Sequence, residues 1–276
     1  MGRSRQTVFI VALALAAIAM IAAGCGGGSD TTGEEGGGGG GEKLTVGSDV
    51  PYPPFEEFGQ TKTEFKGFDV ELMEAIGERI GREVEFVDTS FDTIFVDLAQ
   101  GKFDVVASAS TITEEREETV DFSEPYYQAE QAILVQNGGK IDSVEAMNGA
   151  IIGAQKGTTG AEFVEENVEA GELRTYPQGP DAVNALKSGV VEAVVIDIPV
   201  AENAVKNTTG IEVSTPIPTE EEYGFAVAKN NEALLEEINE GLAEVKEDGT
   251  YAEIYEGVFG RAPSKSILEV KGGGGE

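Results

Sequence analysis

Asp104-Val-Val-Ala-Ser-Ala-Ser-Thr-Ile-Thr-Glu-Glu-Arg116 is a stretch in which an apolar run gives way to small hydroxyl residues and then to a helix start. Residues 105–107 are typical of a buried strand, and Thr113 before two glutamates is typical of a helix N-cap. A helix N-terminus favours an anion, and Arg116 adds a planar fork of donors that fits a carboxylate. The stretch therefore predicts a carboxylate-binding strand end. It also fits a capped surface turn in which Arg116 pairs with a neighbouring glutamate.

Strands and helices alternate on both sides of this stretch, which is typical of an α/β protein with parallel strands. Apolar residues at Phe68, Leu72, Ile76 and Ile80 form the stripe of an amphipathic helix. The predicted strands are 44–47, 84–88, 104–107, 131–136, 151–155, 173–176, 191–196 and 223–228, and those at 131–136 and 223–228 are predicted to connect two lobes. The predicted helices are 68–81, 93–100, 160–170, 181–187 with Asp181 as its cap, 231–247 and 251–259.

One pattern occurs twice, at residues 98–106 and 186–194. Each copy has a helix end, a glycine that suits a left-handed cap, an acid and a buried strand. The alignment places Ala109 opposite Asp197, so the two residues occupy equivalent strand ends in two lobes. Ligands of open α/β sheets lie outside the C-terminal ends of strands. Because α/β proteins commonly repeat a helix, a glycine and a strand, the match predicts geometry rather than ancestry.

Three further candidates lie near strand exits in the first half of the chain. Asp49 follows the first strand, and Tyr52 lies in a loop held by three prolines. Phe91 begins the next turn from strand to helix. Two rigid rings that face each other would sandwich a small molecule. We predict a site role for Tyr52 and a core position for Phe55.

The second half offers a carboxylate and a small turn. Asp197 ends an apolar strand, where a buried carboxylate needs a cation or several donors. It also fits the N-cap of the helix from Ile198. Thr158 and Thr159 lie in a turn between two glycines, which can present N–H and hydroxyl groups to an anion. An arginine for a carboxylate and an aspartate for an ammonium together specify an α-amino acid.

Composition excludes several kinds of function. The chain has 276 residues and a formal charge of −32, which argues against binding to nucleic acid or to anionic lipid. It contains no His, no Trp and one Cys. Imidazole catalysis, His-ligated metals and disulfides within the chain are therefore excluded, and we expect neither a metal nor another cofactor.

The first 25 residues have the pattern of a secretory signal. Arg3 and Arg5 precede an apolar run, and Ala22-Ala-Gly-Cys25 resembles a bacterial lipobox in which Ala22 replaces the more usual Leu. Cys25 would be lipid-modified and become the N-terminus. The alternative is an uncleaved transmembrane anchor, for which the run is short. In both cases the rest of the chain is extracytoplasmic. Residues 26–42 are Gly-rich and predict a flexible tether.

Several motifs together resemble the family 3 extracellular solute-binding proteins, which serve polar amino acid ABC transporters. They are Pro53-Pro-Phe55, Gly67-Phe-Asp-Val-Glu-Leu72, Thr111-Ile-Thr-Glu-Glu-Arg116, Asp121-Phe-Ser-Glu-Pro-Tyr-Tyr127 and Gly249-Thr-Tyr-Ala-Glu-Ile-Tyr255. The resemblance implies a two-lobed periplasmic-binding-protein fold of type II, with mixed sheets flanked by helices and a hinge of two crossings. We expect lobe 1 at residues 43–131 and 224–265, lobe 2 at 132–223, and a disordered tail at 266–276.

The resemblance assigns ten residues to three parts of an amino acid ligand. The side-chain pocket is lined by Asp49, Tyr52 and Phe91. The α-carboxylate is held by Ser108, Ala109, Thr111, Arg116, Thr158 and Thr159. The α-ammonium is held by Ser108 and Asp197. Gln155 and Ile196 depart from the Lys and His of some relatives, so the preferred side chain stays open.

The implied function is capture of a polar or charged L-amino acid by lobe closure and its delivery to an ABC transporter permease. We expect a monomer without catalytic residues that contacts the membrane only through the anchor at Cys25. One alternative is an amino acid sensor for a membrane signalling partner. Another is a dehydratase of the same fold that acts on cyclohexadienyl acids and needs an acid–base group in the cleft.

Overall fold

The framework of the protein is a pair of five-stranded sheets. The computed structural model describes residues 43–269. The predicted signal peptide, Cys25, the tether and residues 270–276 lie outside this range. The strands are β1 (Lys43–Ser48), β2 (Glu57–Phe58), β3 (Phe65–Lys66), β4 (Glu83–Asp88), β5 (Val105–Val106), β6 (Val120–Phe122), β7 (Tyr127–Gln136), β8 (Ile151–Gln155), β9 (Glu172–Tyr176), β10 (Ala193–Asp197), β11 (Ile211–Tyr223) and β12 (Ala226–Ala228).

Nine α-helices accompany these strands within the described range. They are α1 (Phe68–Ile80), α2 (Ile94–Ala99), α3 (Glu114–Glu117), α4 (Thr159–Asn167), α5 (Gly179–Lys187), α6 (Ile198–Asn207), α7 (Glu232–Glu247), α8 (Thr250–Phe259) and α9 (Lys265–Leu268). Across residues 43–269, no helix combines the length and the hydropathy required to span a bilayer. The predicted cap of α5 is wrong: the helix begins at Gly179, with Gln178 at the N-cap and Pro180 in the first turn. Proline suits that position because its missing N–H has no partner there.

Lobe 1 is built on the sheet β4-β1-β5-β12-β6. β1 runs parallel to β4 and β5, whereas β12 is antiparallel to β5 and β6. Helix α1 buries the predicted stripe, with Phe68, Leu72 and Ile76 fully inaccessible to solvent. Helices α7 and α8 pack against α1. Gly241 of α7 permits this close approach, since a β-carbon there would lie 2.9 Å from Ile76.

Lobe 2 is built on the sheet β11-β7-β10-β8-β9, with α4, α5 and α6 packed against it. β10 runs parallel to β8 and antiparallel to β7. The buried residues Ile133, Ile152, Val164 and Val195 belong to one apolar cluster of this lobe. The two sheets flanked by helices confirm the predicted fold class.

The central strands of the two sheets correspond to each other. β5 and β10 each occupy the third of five positions, with a parallel neighbour on one side and an antiparallel one on the other. Each follows a glycine in the left-handed region, Gly101 with φ 72° and Gly189 with φ 71°. The two aligned segments therefore have the same local geometry. Their strand ends point the chain towards one shared cleft.

Two connections join the lobes. The chain leaves β6 at Phe122 and enters β7 at Tyr127, and it returns between β11 and β12. β7 and β11 pair with each other from Tyr127–Tyr223 to Gln136–Ile211. The sequence predicts residues 127–131 to belong to lobe 1, whereas their pairing with β11 joins them to the sheet of lobe 2. Buried and exposed side chains alternate over 127–130, which is the pattern of a two-stranded ribbon.

The start of the predicted tail is ordered. Ser264 caps α9 by accepting a hydrogen bond from the Ile267 N–H, and Ile267 is 6% exposed within the apolar core. The expectation of disorder is therefore wrong for residues 266–268. Ile267 and the partly buried Leu268 supply the apolar contacts that hold this short helix against the body.

Candidate functional site

A cavity lies between the two lobes at the ends of β1, β5, β8 and β10. The space there that is not occupied by atoms, including the part open to solvent, is about 290 Å³. All ten residues that the sequence singled out line it, together with Glu56 and Gln155. The carboxyl ends of parallel strands meet at one edge of a sheet, which is why residues distant in sequence converge there.

Arg116 is a buried cation at the lobe 1 side of the cavity. It is 8% exposed, and its guanidinium donates to the Thr111 carbonyl (2.7 Å) and to the Gly157 carbonyl of lobe 2 (3.1 Å). Its guanidinium carbon lies 5.3 Å and 5.0 Å from the ring centres of Phe91 and Phe95. The surface ion pair considered from the sequence is therefore excluded. A guanidinium has five N–H donors, so these two contacts leave others for a ligand.

Local structure holds this arginine in place. Thr113 is the N-cap of α3, and its hydroxyl accepts from the Arg116 N–H at 3.2 Å. Burial lowers the pKa of Arg116, and the negative charges of Glu162, Glu221 and Asp197 oppose this shift. The group remains charged at physiological pH because an arginine pKa starts above 12.

Asp197 is a buried carboxylate at the lobe 2 side. It is 7% exposed and accepts hydrogen bonds from the Tyr52 hydroxyl and from the Gln131 amide nitrogen (2.6 Å). It precedes α6, but its side chain makes no capping hydrogen bond. The capping role considered from the sequence is therefore excluded. Burial raises the pKa of Asp197 to about 7 with help from the charge of Glu221, while the bonds from Tyr52 and Gln131 act in the opposite direction.

Asp49 forms a second acidic point in the cavity. It is 3% exposed, and its carboxylate accepts a 2.5 Å hydrogen bond from the amide nitrogen of Gln155 in lobe 2. The same nitrogen donates to the Pro177 carbonyl at 3.2 Å. Burial raises the pKa of Asp49 to about 7, the bond from Gln155 opposes this, and the charge of Asp88 adds to the rise. Gln155 thus sets the position of Asp49. In the sequence, Gln155 stands out only as a departure from some relatives.

Glu56 is an acidic lining residue that sequence reasoning missed. It is fully buried, accepts from the Ser108 hydroxyl at 2.9 Å, and has a second oxygen with no partner among the described residues. Burial and the neighbouring Asp69 raise its pKa well above the usual range. An acid directly after Pro-Pro-Phe, in the same loop as Tyr52, was a signal that could have revealed it.

Ala109 has a backbone conformation unusual for a non-glycine residue, with φ 44°. Its N–H donates to Asp69 at 2.7 Å, and the Tyr126 hydroxyl donates to the same oxygen at 2.6 Å. Non-glycine residues in the left-handed region cluster at functional sites, where the surrounding structure holds them. Asp69 therefore supports the turn that presents Ser108 and Thr111 to the cavity.

The three threonines donate their hydroxyl hydrogens to the protein. Thr111 and Thr159 both donate to Glu221, at 2.6 Å and 2.8 Å. Thr158 donates to the Gln155 carbonyl at 2.8 Å, and it caps α4 by accepting from the Ala161 N–H. These hydroxyls therefore present lone pairs to the cavity, whereas the sequence assigned them to a carboxylate. Glu221 was missed because it lies in a run of three glutamates that reads as a solvated surface.

The two lobes contact each other around the cavity. Lys156 of lobe 2 forms an ion pair with Asp92 of lobe 1 at 2.9 Å. The Gln178 amide of lobe 2 donates to the Val50 carbonyl of lobe 1 at 2.9 Å. Both lobes belong to one compact unit. With the bond from Arg116 to Gly157, these contacts describe a closed arrangement.

The charges that line the cavity are unbalanced. Its lining contains the carboxyl groups of Asp49, Glu56 and Asp197 but a single cation, Arg116. Within residues 43–269, no group of Asp, Glu or Cys side chains has the arrangement of a metal site. Arg116 thus provides charged donors at one point of the cavity, and three acidic side chains provide acceptors elsewhere.

Known proteins are similar to this chain in sequence. A probable histidine-binding protein of Neisseria gonorrhoeae is 34% identical over 259 residues, covering 91% of this chain and 95% of that protein. ABC transporter arginine-binding protein 1 of Escherichia coli K12 is 32% identical over 218 residues, covering 77% and 89%.

Solved structures agree with these relatives. The arginine-, lysine-, histidine-binding protein ArtJ of Geobacillus stearothermophilus has a TM-score of 0.78 and 34% identity over 82% of this chain and 99% of that one. An ancestral arginine-binding protein bound to arginine has a TM-score of 0.75 and 40% identity over 79% and 98%. The sequence profile of one family matches residues 44–261. This chain belongs to the bacterial extracellular solute-binding proteins, family 3.

Proposed function

We propose that this protein is an extracytoplasmic binding protein that captures a cationic L-amino acid, foremost L-arginine, and delivers it to an ABC transporter permease. The family supports an extracellular solute-binding role. Relatives named for binding histidine and arginine support an amino acid ligand, and one of them is named as part of an ABC transporter.

The α-carbon end of the ligand is matched by charges from both lobes. Arg116 in lobe 1 is the donor for an α-carboxylate, because a guanidinium binds a carboxylate through two parallel hydrogen bonds. Asp197 in lobe 2 is the acceptor for an α-ammonium. Both line the same cavity, and the negative charge of Asp197 acts to raise the pKa of Arg116.

The excess of carboxylates is the observation that carries the choice of ligand. A zwitterion satisfies Arg116 and one acid, which leaves two further acids in the lining: Asp49, whose pKa is about 7, and Glu56, whose strongly raised pKa favours the neutral form. Burying an unpaired carboxylate is costly, whereas a cationic side chain supplies the missing charge. Asp49 and Glu56 are the acceptors that we assign to this side chain. The rings of Tyr52 and Phe91 suit a planar guanidinium, which binds to aromatic faces.

Closure follows from the division of the site between lobes. A ligand that contacts Arg116 and Asp197 together interacts with lobe 1 and lobe 2 only when the cleft is shut. It therefore binds the closed form more tightly than the open form and shifts the equilibrium towards it. The closed form is the species that we propose docks on the permease.

Calorimetry with the purified protein tests the choice of ligand. L-arginine, L-lysine, L-histidine, L-glutamine and L-glutamate are titrated at pH 8. We expect L-arginine to bind most tightly. We expect L-glutamate to bind most weakly, because its side-chain carboxylate would lie against the acids Asp49 and Glu56. Tighter binding of L-glutamine than of any cationic amino acid would reject the cationic assignment while leaving amino acid binding intact.

We further propose that Cys25 anchors a monomer to the membrane through a lipid. The support is the lipobox-like Ala22-Ala-Gly-Cys25 sequence and the Gly-rich segment after it. Cells that express the full chain with labelled palmitate should yield a labelled membrane fraction. A Cys25→Ser variant should lose both label and membrane association, and persistent label would reject the assignment.

We infer binding without turnover, because the relatives reported above are named as binding proteins. A chain similar to this one, at 38% identity, is an ancestral amino acid-binding protein described as a precursor of cyclohexadienyl dehydratase. Incubation of the protein with prephenate or arogenate separates the two functions. Formation of an aromatic product above background would contradict our inference.

A further inference from the structure

Glu221 is a buried carboxylate that lies next to the cavity but outside its lining. It is 8% exposed, while its neighbour Glu220 is exposed and has φ 52°. The pairing of β11 with β7 shifts register between Ile217 and Glu221. Such bulges redirect a side chain, and here the irregularity places Glu221 on the inner face of the hinge.

The carboxylate of Glu221 joins three elements. Its Oε2 accepts from the Thr111 hydroxyl of lobe 1 at 2.6 Å and from the Thr159 hydroxyl of lobe 2 at 2.8 Å. Its Oε1 accepts from the Gln131 amide of β7 at 3.0 Å, and the same amide nitrogen donates to Asp197 at 2.6 Å. One side chain thus connects both lobes and the predicted ammonium acceptor.

These bonds determine which way the threonine hydroxyls point. A hydroxyl has one hydrogen and two lone pairs. Since both hydrogens go to Glu221, Thr111 and Thr159 present only lone pairs to the cavity that they line, and one lone pair of Thr159 already accepts from the Gln131 amide nitrogen at 3.3 Å. Two hydroxyl acceptors and the Asp197 carboxylate together complement the three N–H bonds of an ammonium.

We propose that Glu221 is a positioning residue that makes the α-ammonium of the ligand a requirement for binding, because it holds Thr111 and Thr159 as acceptors. This inference rests on the proposed amino acid ligand. A ligand that lacks the amino group leaves these acceptors unpaired, and sites built for a polar group reject analogues without it. A hinge residue with a purely structural role would affect all ligands equally.

The test compares L-arginine with 5-guanidinopentanoic acid, which has the same chain without the α-amino group. Calorimetry gives both dissociation constants for the wild type and for Glu221→Gln. We expect the wild type to prefer L-arginine strongly and the variant to lose about tenfold or more of that preference. The reason is that the new amide can donate to the threonines and release their hydrogens.

Two further variants separate this role from general damage. Glu220→Gln removes the same charge at an exposed neighbour and should keep the wild-type preference. Thr159→Val removes one acceptor with little change in shape and should lower the preference, as Glu221→Gln does. This second variant keeps the test valid if Glu221→Gln does not fold.

The outcomes are distinct. Equal weakening of both ligands in Glu221→Gln, or an unchanged preference in that variant and in Thr159→Val, would overturn the inference and leave the proposed function standing. Failure of the wild type to bind L-arginine would reject the proposed function, and this inference with it.

Discussion

The ends of the two central strands occupy the same position in their sheets and carry opposite charges. After β5 the chain turns through Ala109 to Arg116, whereas Asp197 is itself the last residue of β10. Both strands follow a left-handed glycine and both end at the cavity. The same α/β geometry thus brings the ends of β5 and β10 to one cavity. The residue type at each strand end determines which ligand group is bound there.

The two charges are held by different kinds of partner. Arg116 donates to backbone carbonyls and lies against the rings of Phe91 and Phe95. Asp197 accepts from the side chains of Tyr52 and Gln131. Backbone partners keep their positions when a side chain changes, whereas side-chain partners can adopt other rotamers. We therefore expect Arg116 to be the more rigidly held of the two charges and Asp197 the more adjustable one.

Removal of the cation Arg116 should reduce ligand affinity more than any other change. In Arg116→Ala the α-carboxylate loses its charged donor in a cavity lined by acidic side chains, so affinity for L-arginine should fall about a thousandfold or more. Arg174→Ala, at an arginine paired with Glu172 near the surface of lobe 2, is the matched control and should bind normally. Calorimetry measures both, and circular dichroism checks that each variant is folded. Affinity within a few-fold of wild type would place the ligand elsewhere.

Loss of the opposite charge should have a smaller effect. Asp197→Asn retains an acceptor oxygen but removes the charge opposite the α-ammonium, so affinity should fall about a hundredfold. Asp181→Asn changes an exposed aspartate of the same lobe and serves as the control. An unchanged dissociation constant for Asp197→Asn would show that the lobe 2 strand end is not the ammonium site.

Asp49, at the end of the cavity that we assign to the ligand side chain, should determine the preference for a cationic ligand. Asp49→Asn should weaken L-arginine binding by about thirtyfold and leave L-glutamine binding nearly unchanged, since only the cationic ligand uses that charge. Competition between the two ligands in one calorimetric series measures the change in preference. Parallel weakening of both ligands would mean that Asp49 acts on the shape of the site rather than on its charge.

Lowering the pH from 8 to 6 should weaken binding by up to about tenfold for each carboxyl that titrates in this range. The pKa values of Asp49 and Asp197 rise to about 7 in the ligand-free fold, so both carboxyls gain protons over this range and lose their attraction for a cation. Titrations in two buffers of different ionisation enthalpy should reveal proton release on binding at pH 7. A constant affinity from pH 6 to 8 would contradict this prediction.

The stability of the ligand-free protein should change in the opposite direction. Unfolded aspartates titrate near 3.8, whereas Asp49 and Asp197 titrate near 7 when folded. Between these values the folded state holds more protons than the unfolded state, so these two groups lower the free energy of unfolding as pH rises from about 4 to 7. Thermal unfolding at pH 5 and pH 8 measures this contribution, and an Asp49→Asn variant should show less of the dependence.

Local sequence patterns were sufficient for much of the fold and for the positions of the ten predicted residues. The stripe of α1, the cap at Thr113 and the left-handed glycines are features of residues close together in the chain, so periodicity and residue type reveal them. Because strand ends of parallel sheets converge, residues that follow a predicted strand are good candidates for a site. All ten predicted residues line the cavity for this reason.

Hydrogen bonds between residues far apart in the chain could not be predicted from local sequence patterns. The bonds from Gln155 to Asp49 and from Thr111 to Glu221 join residues separated by 106 and 110 positions. They depend on loop conformations, on the bulge in β11 and on how the lobes meet. The run of three glutamates at 220–222 reads as solvent-exposed, and only the register of β11 shows that the middle one is buried.

The amino acid sequence by itself determined the alternating α/β architecture, the two equivalent strand ends and the opposite charges placed on them, because these depend on local periodicity and on residue type. Only the tertiary structure decided that Glu56 joins the cavity, that Asp197 is not a helix cap, and that Glu221 takes the threonine hydrogens. The physical reason is that hydrogen-bond direction and charge balance in a buried cleft depend on side chains brought together from distant parts of the chain.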